Sequence, residues 1–192
     1  MKNDVTSVMM CGVGGQGILL AAEVTARAAI LAGFQVKTNE VHGMAQRGGS
    51  VVASVRYGNK VHNPLVETGT ADALLSLEAI EAIRQHAMLK PDGLAVVSQQ
   101  RVVPITVSSG KATYPEPEEP LRRLFPRLKY LDALSVAAEL GVPRAANIVL
   151  LGALSEALKG LDGEIWTEAL RQCIKPRFLE VNLEAFRRGA AC

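Results

Sequence analysis

Cysteine is scarce in this 192-residue chain, aromatic residues make up only 4% of it, and neither sign of charge dominates. Cys11, Cys173 and Cys192 are odd in number and far apart, which argues against a disulfide framework and fits reduced thiols in a cytoplasmic protein. They are too dispersed to hold an iron–sulfur cluster, which draws its thiolates from closely spaced cysteines. With 21 Lys and Arg against 19 Asp and Glu, the formal net charge is +2. Basic residues are spread along the chain instead of forming a stripe, so nucleic acid is not an expected partner. Long apolar runs are missing as well. Ile18 to Ala32 is interrupted by Glu23 and Arg27, and Ile148 to Leu154 falls far short of the ~20 residues needed to cross a bilayer. Met1-Lys2-Asn3-Asp4 leads straight into a strand-like segment without a signal-peptide layout. No His, Cys or paired carboxylates stand at ligand spacing, so no metal is expected. No nucleophile–base pairing can be read either, so no catalytic residue is assigned.

What the chain does have is apolar residues, 48% of the total, enough for one sizeable core and one domain over residues 1–192. Strand-like and helix-like segments alternate. Ser7 to Cys11 reads as a buried strand and Ile18 to Ala32 as a helix stopped by Gly33. Phe34 to Thr38 reads as a second strand, Asn39 to Gly49 as a polar loop, and the alternation of Val51, Ala53, Val55 and Tyr57 as a half-buried strand. Gly58-Asn59 is a hairpin signal that predicts an antiparallel return over Lys60 to His62. Further strands are predicted at Ala71 to Ser76, Leu94 to Ser98 and Leu128 to Leu131, with a helix starting at Leu77 between the first two. Tyr114 to Pro120, rich in proline, reads as a surface connection. The last third is helical: Ser135 to Leu140, Ala145 to Leu158, Ile165 to Ile174, and a final helix whose Leu179, Leu183 and Phe186 form an apolar stripe. That stripe either completes the core or docks on another chain. The pattern predicts an α/β fold, a Rossmann-like doubly wound mixed sheet flanked by helices, whose ligands bind beyond the carboxyl ends of the strands.

Two glycine-rich segments carry the candidate chemistry. Gly12-Val13-Gly14-Gly15-Gln16-Gly17 lies between the first strand and first helix, where free N–H groups and the helix dipole favour an anion. Gly12, Gly14 and Gly17 match a dinucleotide fingerprint, but the end of the second strand offers Lys37-Thr38-Asn39 instead of an acid for the ribose, with Glu40 slightly late. A tight turn without a ligand is the other reading. The second segment, Glu40-Val41-His42-Gly43-Met44-Ala45-Gln46-Arg47-Gly48-Gly49, sets the Arg47 guanidinium beside flexible backbone donors, suited to phosphate or carboxylate. His42 could exchange a proton or donate to an anion. His62 and His86 read as structural or solvated.

These two segments together resemble the gamma-type subunit of 2-oxoacid:ferredoxin oxidoreductases, and the wording from Glu40 to Ser50 is most similar to the beta subunit of indolepyruvate ferredoxin oxidoreductase. The resemblance is strongest over the two motifs and from Gly69 to Arg84, and continues through Asn147 to Leu154 into the tail. It implies oxidative decarboxylation of an aryl pyruvate to an acyl-CoA, with coenzyme A as co-substrate and ferredoxin as electron acceptor. Thiamine diphosphate and iron–sulfur clusters would belong to a larger partner subunit, with no cofactor held tightly by this chain, which would complete the assembly; whether the isolated chain forms a homodimer stays open. Gly12, Gly14, Gly15, Gln16, Gly17, His42, Gln46, Arg47, Gly48 and Gly49 would line the coenzyme A side. Two other readings stand beside it: the same family acting on pyruvate, 2-oxoglutarate or a branched-chain 2-oxoacid, and a free-standing nucleotide-binding regulatory module.

Overall fold

The computed structural model describes residues 5–43, 48–103, 105–111 and 113–192. Its strands are β1 (Val5–Val13), β2 (Gln35–His42), β3 (Ser50–Gly58), β4 (Ala71–Ser76), β5 (Leu89–Ser98) and β6 (Leu128–Leu131). Its helices are α1 (Ile18–Leu31), α2 (Ala79–Gln85), α3 (Ile105–Ser108), α4 (Glu118–Leu124), α5 (Ala133–Glu139), α6 (Ala146–Ser155), α7 (Gly163–Cys173) and α8 (Pro176–Ala190). The strands form one mixed sheet in the order β2-β3-β1-β4-β5-β6. β1, β4, β5 and β6 pair in parallel, while β3 is antiparallel to both its neighbours, β1 and β2. The carboxyl ends of β1, β2, β4, β5 and β6 therefore share one rim, which also receives the start of β3.

β1 shows why the sheet is covered on both faces. Val8 and Met10 point into one core with α1, α6, α7 and α8, whereas Met9 and Cys11 point into a second core with α2 and α4. An uninterrupted apolar run is what such a central strand requires. The doubly wound mixed sheet and helical last third are thus present. The stripe on α8 completes the core: Phe186 is buried with its ring 5.4 Å from that of Trp166, and Leu179 and Leu183 pack on the same cluster.

Three local expectations are corrected. β2 runs on to His42, so Asn39 to His42 is strand, because antiparallel pairing to β3 extends to His42↔Val51. Lys60 to His62 is not a strand. Both edges of β3 are already taken by β1 and β2, so the following segment crosses a face of the sheet instead, tied by Ser54 Oγ to the Pro64 carbonyl and by Arg56 to those of Asn63 and Leu65. The proline-rich connection ends at Pro117, where α4 begins. Pro120 falls in the first turn, where no N–H is needed, and Glu118 and Glu119 suit the positive end of the helix dipole.

Candidate functional site

The site begins at the end of β1. Val13 pairs with Ser50 at the start of β3, and beyond that pair the Gly14 N–H donates to the Gly49 carbonyl at 2.9 Å. On the other side of β3, the Gly43 N–H donates to the Ser50 carbonyl at 2.8 Å. The two glycine-rich segments, some thirty residues apart in the chain, thus leave the sheet side by side. Gly14, Gly15, Gly17, Ile18, Leu19, His42 and Val51 line an open depression of about 350 Å³ between them.

Two glycines give the turn its shape through left-handed backbone, Gly15 at φ 97° and Gly17 at φ 88°. Gly17 is the N-cap of α1, whose first turn carries no acidic residue, so its free N–H groups face no internal counter-charge. A Cβ on Gly17 would lie 2.5 Å from Asn147 Nδ2. Buried Asn147 donates to the Gly17 carbonyl at 3.1 Å and accepts from the Ile148 N–H at 2.9 Å, which fixes the start of α6 against the start of α1.

Gln16 has a different task from its neighbours. Its Oε1 accepts from the Val13 N–H at 2.7 Å, and its Nε2 donates to the Leu77 carbonyl at 2.9 Å and to Gln100 Oε1 at 3.0 Å. The side chain thereby clips together the ends of β1, β4 and β5. What the turn offers a ligand is backbone, not the Gln16 amide. Gly12 is buried below this clip; a Cβ there would stand 2.8 Å from Gln16 Oε1. His42 is exposed at the rim, with Nε2 3.8 Å from Glu40 Oε2. Gly48, at φ 70°, and Gly49 close the second segment. Gln46 and Arg47 lie outside the described residues.

Sequence reasoning missed the supports beneath the rim. Glu78 caps α2 by accepting from the Glu81 N–H at 2.9 Å, and its other oxygen accepts from the Tyr114 hydroxyl. Glu81, equally buried, accepts from Ser50 Oγ at 2.6 Å and from Arg84 at 3.2 Å. The available signal was an acidic pair three residues apart at a helix start, which reads as a cap and first-turn acid but gives no hint of Ser50 or Tyr114. Cys11 lies in the same buried region, where its thiol donates to Ser76 Oγ at 3.2 Å. Burial pushes that thiol up to about 12, so it stays protonated and inert as a nucleophile. Among the described residues no group of His, Cys, Asp or Glu could hold a metal ion, and no helix is long and apolar enough to cross a membrane.

A sheet rim that joins two glycine-rich loops on a mixed α/β scaffold defines a class, and residues 7–192 match the profile of the Pyruvate ferredoxin/flavodoxin oxidoreductase family. The chain belongs to that family. It is 42% identical over 188 residues to indolepyruvate oxidoreductase subunit IorB of Pyrococcus horikoshii, covering 95% of this chain and 93% of that one. It is 29% identical to the pyruvate/ketoisovalerate oxidoreductases common subunit gamma of Pyrococcus furiosus, covering 93% and 91%. Among solved structures, it matches the gamma subunit of a keto/oxoacid ferredoxin oxidoreductase from Geobacter sulfurreducens with a TM-score of 0.72 and 25% identity, over 96% of this chain and 95% of that one. It shares the fold, at a TM-score of 0.73 and 23% identity, with 2-oxoglutarate:ferredoxin oxidoreductase from Magnetococcus marinus, determined with 2-oxoglutarate, coenzyme A and succinyl-CoA bound. There it covers 99% of this chain but 31% of the other.

Proposed function

We propose that this chain is the small subunit of an indolepyruvate:ferredoxin oxidoreductase, working in the cytoplasm. In this reading a larger partner holds thiamine diphosphate and iron–sulfur clusters, and the small subunit lines the coenzyme A side of the assembly. The observation that carries the reading is the joined rim: Gly14 bonded to Gly49, with uncapped α1 N–H groups and His42 around one open depression. Such a surface suits the phosphates of coenzyme A, to which backbone donors at a helix start contribute beside a charged anchor. In this reading the part of the chain is to bind and orient, while thiamine diphosphate in the partner supplies the carbanion chemistry of decarboxylation. The substrate class follows the Pyrococcus horikoshii relative. The Pyrococcus furiosus relative, named as common to two oxidoreductases, favours placing the choice of 2-oxoacid in the partner; pyruvate or a branched-chain acid is the second reading.

The test is co-purification from the native host, followed by viologen reduction with indolepyruvate, pyruvate and 2-oxoglutarate, with and without coenzyme A. Recovery of a large thiamine- and iron–sulfur-containing partner with indolepyruvate activity upholds the reading. Preference for another acid moves the protein within its family. A chain recovered alone with a bound nucleotide makes it a binding module instead. Arg47 is the charged anchor in this proposal. Arg47→Ala is expected to raise the KM for coenzyme A by at least about tenfold, as loss of a charge-assisted hydrogen bond implies, with the 2-oxoacid KM little changed.

A further inference from the structure

Glu81 buries a carboxylate that the local fold does not require. α2 is already capped by Glu78, which takes the Glu81 N–H. Glu81 itself is 6% exposed, and its ion-pair partner Arg84 is largely in solvent. A buried charge is costly unless hydrogen bonds compensate it. The buried compensation here is the 2.6 Å bond from Ser50 Oγ, thirty-one residues away in the chain. Ser50 is the residue through which both glycine-rich segments are placed. It pairs with Val13, its carbonyl receives the Gly43 N–H, and the Gly49 carbonyl just before it receives the Gly14 N–H. The neighbouring carboxylate, Glu78, holds Tyr114 on the opposite flank, beneath the Arg101–Glu116 ion pair. The start of α2 therefore carries two buried carboxylates, one tied to the start of β3 and the other to the segment before α4.

We infer that Glu81 is a positioning residue, which through Ser50 fixes where the β2–β3 connection leaves the sheet and so sets the spacing of the two glycine-rich segments. It touches no ligand itself; its effect reaches the depression through the Ser50 hydroxyl and backbone. The inference rests on the coenzyme A reading of the rim for its kinetic consequence alone.

Hydrogen–deuterium exchange on the full chain tests it. Ser50→Ala is expected to speed exchange of the Gly43 and Gly14 amides by about tenfold or more, the factor that loss of a hydrogen bond to a charged group allows. Ser50→Thr keeps the hydroxyl and restores protection. Glu81→Gln, which keeps an acceptor but not the charge, gives an intermediate rate. Tyr114→Phe, which breaks the other tie, leaves both amides as in the parent. Unchanged exchange at Gly43 and Gly14 in folded Ser50→Ala protein overturns the inference. In the co-purified complex, Ser50→Ala is expected to raise the KM for coenzyme A several-fold without moving that for the 2-oxoacid. Faster exchange with an unmoved coenzyme A KM upholds the positioning role and counts against the coenzyme A reading.

Discussion

Gly17 shows how much one residue settles at this rim. Its φ of 88° lies where a side chain is disfavoured, and a Cβ would meet the Asn147 amide at 2.5 Å. Left-handed backbone costs an L-residue about 1–2 kcal/mol, and displacing Asn147 breaks its bond to the Gly17 carbonyl, worth about another 1 kcal/mol. Gly17→Ala is therefore expected to lower unfolding free energy by roughly 2–3 kcal/mol, measurable by urea denaturation; a loss below about 0.5 kcal/mol would mean that the α1–α6 junction yields freely. The pattern Gly12-x-Gly14-x-x-Gly17 was legible as a strand–turn–helix junction, because glycine spacing reports backbone conformation directly. The partner of Gly17 was not. Asn147 is 130 residues away, and a single Asn ahead of an apolar helix gives no sign of what it caps. Gln16 differs for the same reason: its two long-range acceptors, the Leu77 carbonyl and Gln100, come from other strand ends.

At the scale of elements, the tightest contact is between α6 and α8. A Cβ on Gly189 would lie 1.8 Å from the Val149 carbonyl oxygen, and one on Gly152 2.1 Å from that of Phe186, so the two helix backbones touch. Gly189→Ala forces them apart and is expected to cost about 3 kcal/mol, the upper part of the overpacking range. Gly163→Ala, which meets nothing within 4 Å, should leave stability within about 1 kcal/mol of the parent. Thermal melts of the two variants check the contrast; equal melting temperatures would show that α8 docks loosely. Helix existence was readable from apolar spacing, as in Leu179, Leu183 and Phe186. Close backbone approach was not, because Gly189 near a helix end resembles an ordinary stop. The failed hairpin at Gly58-Asn59 has a similar cause, since turn chemistry describes what the chain permits locally and says nothing about which sheet edges are already occupied.

Across the whole molecule, two cores on either side of one sheet bury titratable groups that resist ionisation. Burial lifts the Cys11 thiol from 9.0 to about 12 and the Tyr57 hydroxyl from 10.0 to about 12. The unfolded chain releases these protons first as pH rises. Their contribution to stability is thus fully present below about pH 9 and is lost through the window up to about pH 12. Urea midpoints are expected to fall from about pH 9 upward, and Cys11→Ala to flatten part of that fall relative to its own neutral-pH value. A midpoint independent of pH in this window would show that these groups titrate freely in the folded protein.

The sequence by itself determined the periodic and conformational features. An apolar run such as Val8 to Cys11 must be buried on both faces, and glycines at Gly15 and Gly17 permit a turn closed to other residues. These depend on neighbours within a few residues. Only the tertiary structure decided that β3 enters between β2 and β1, that Gly14 and Gly49 meet, and that Glu81 reaches Ser50. The β1–β3, Gly14–Gly49 and Ser50–Glu81 contacts each join residues more than thirty positions apart, and the free energy that selects them comes from sheet pairing and burial of the assembled layers, which no local window of sequence contains.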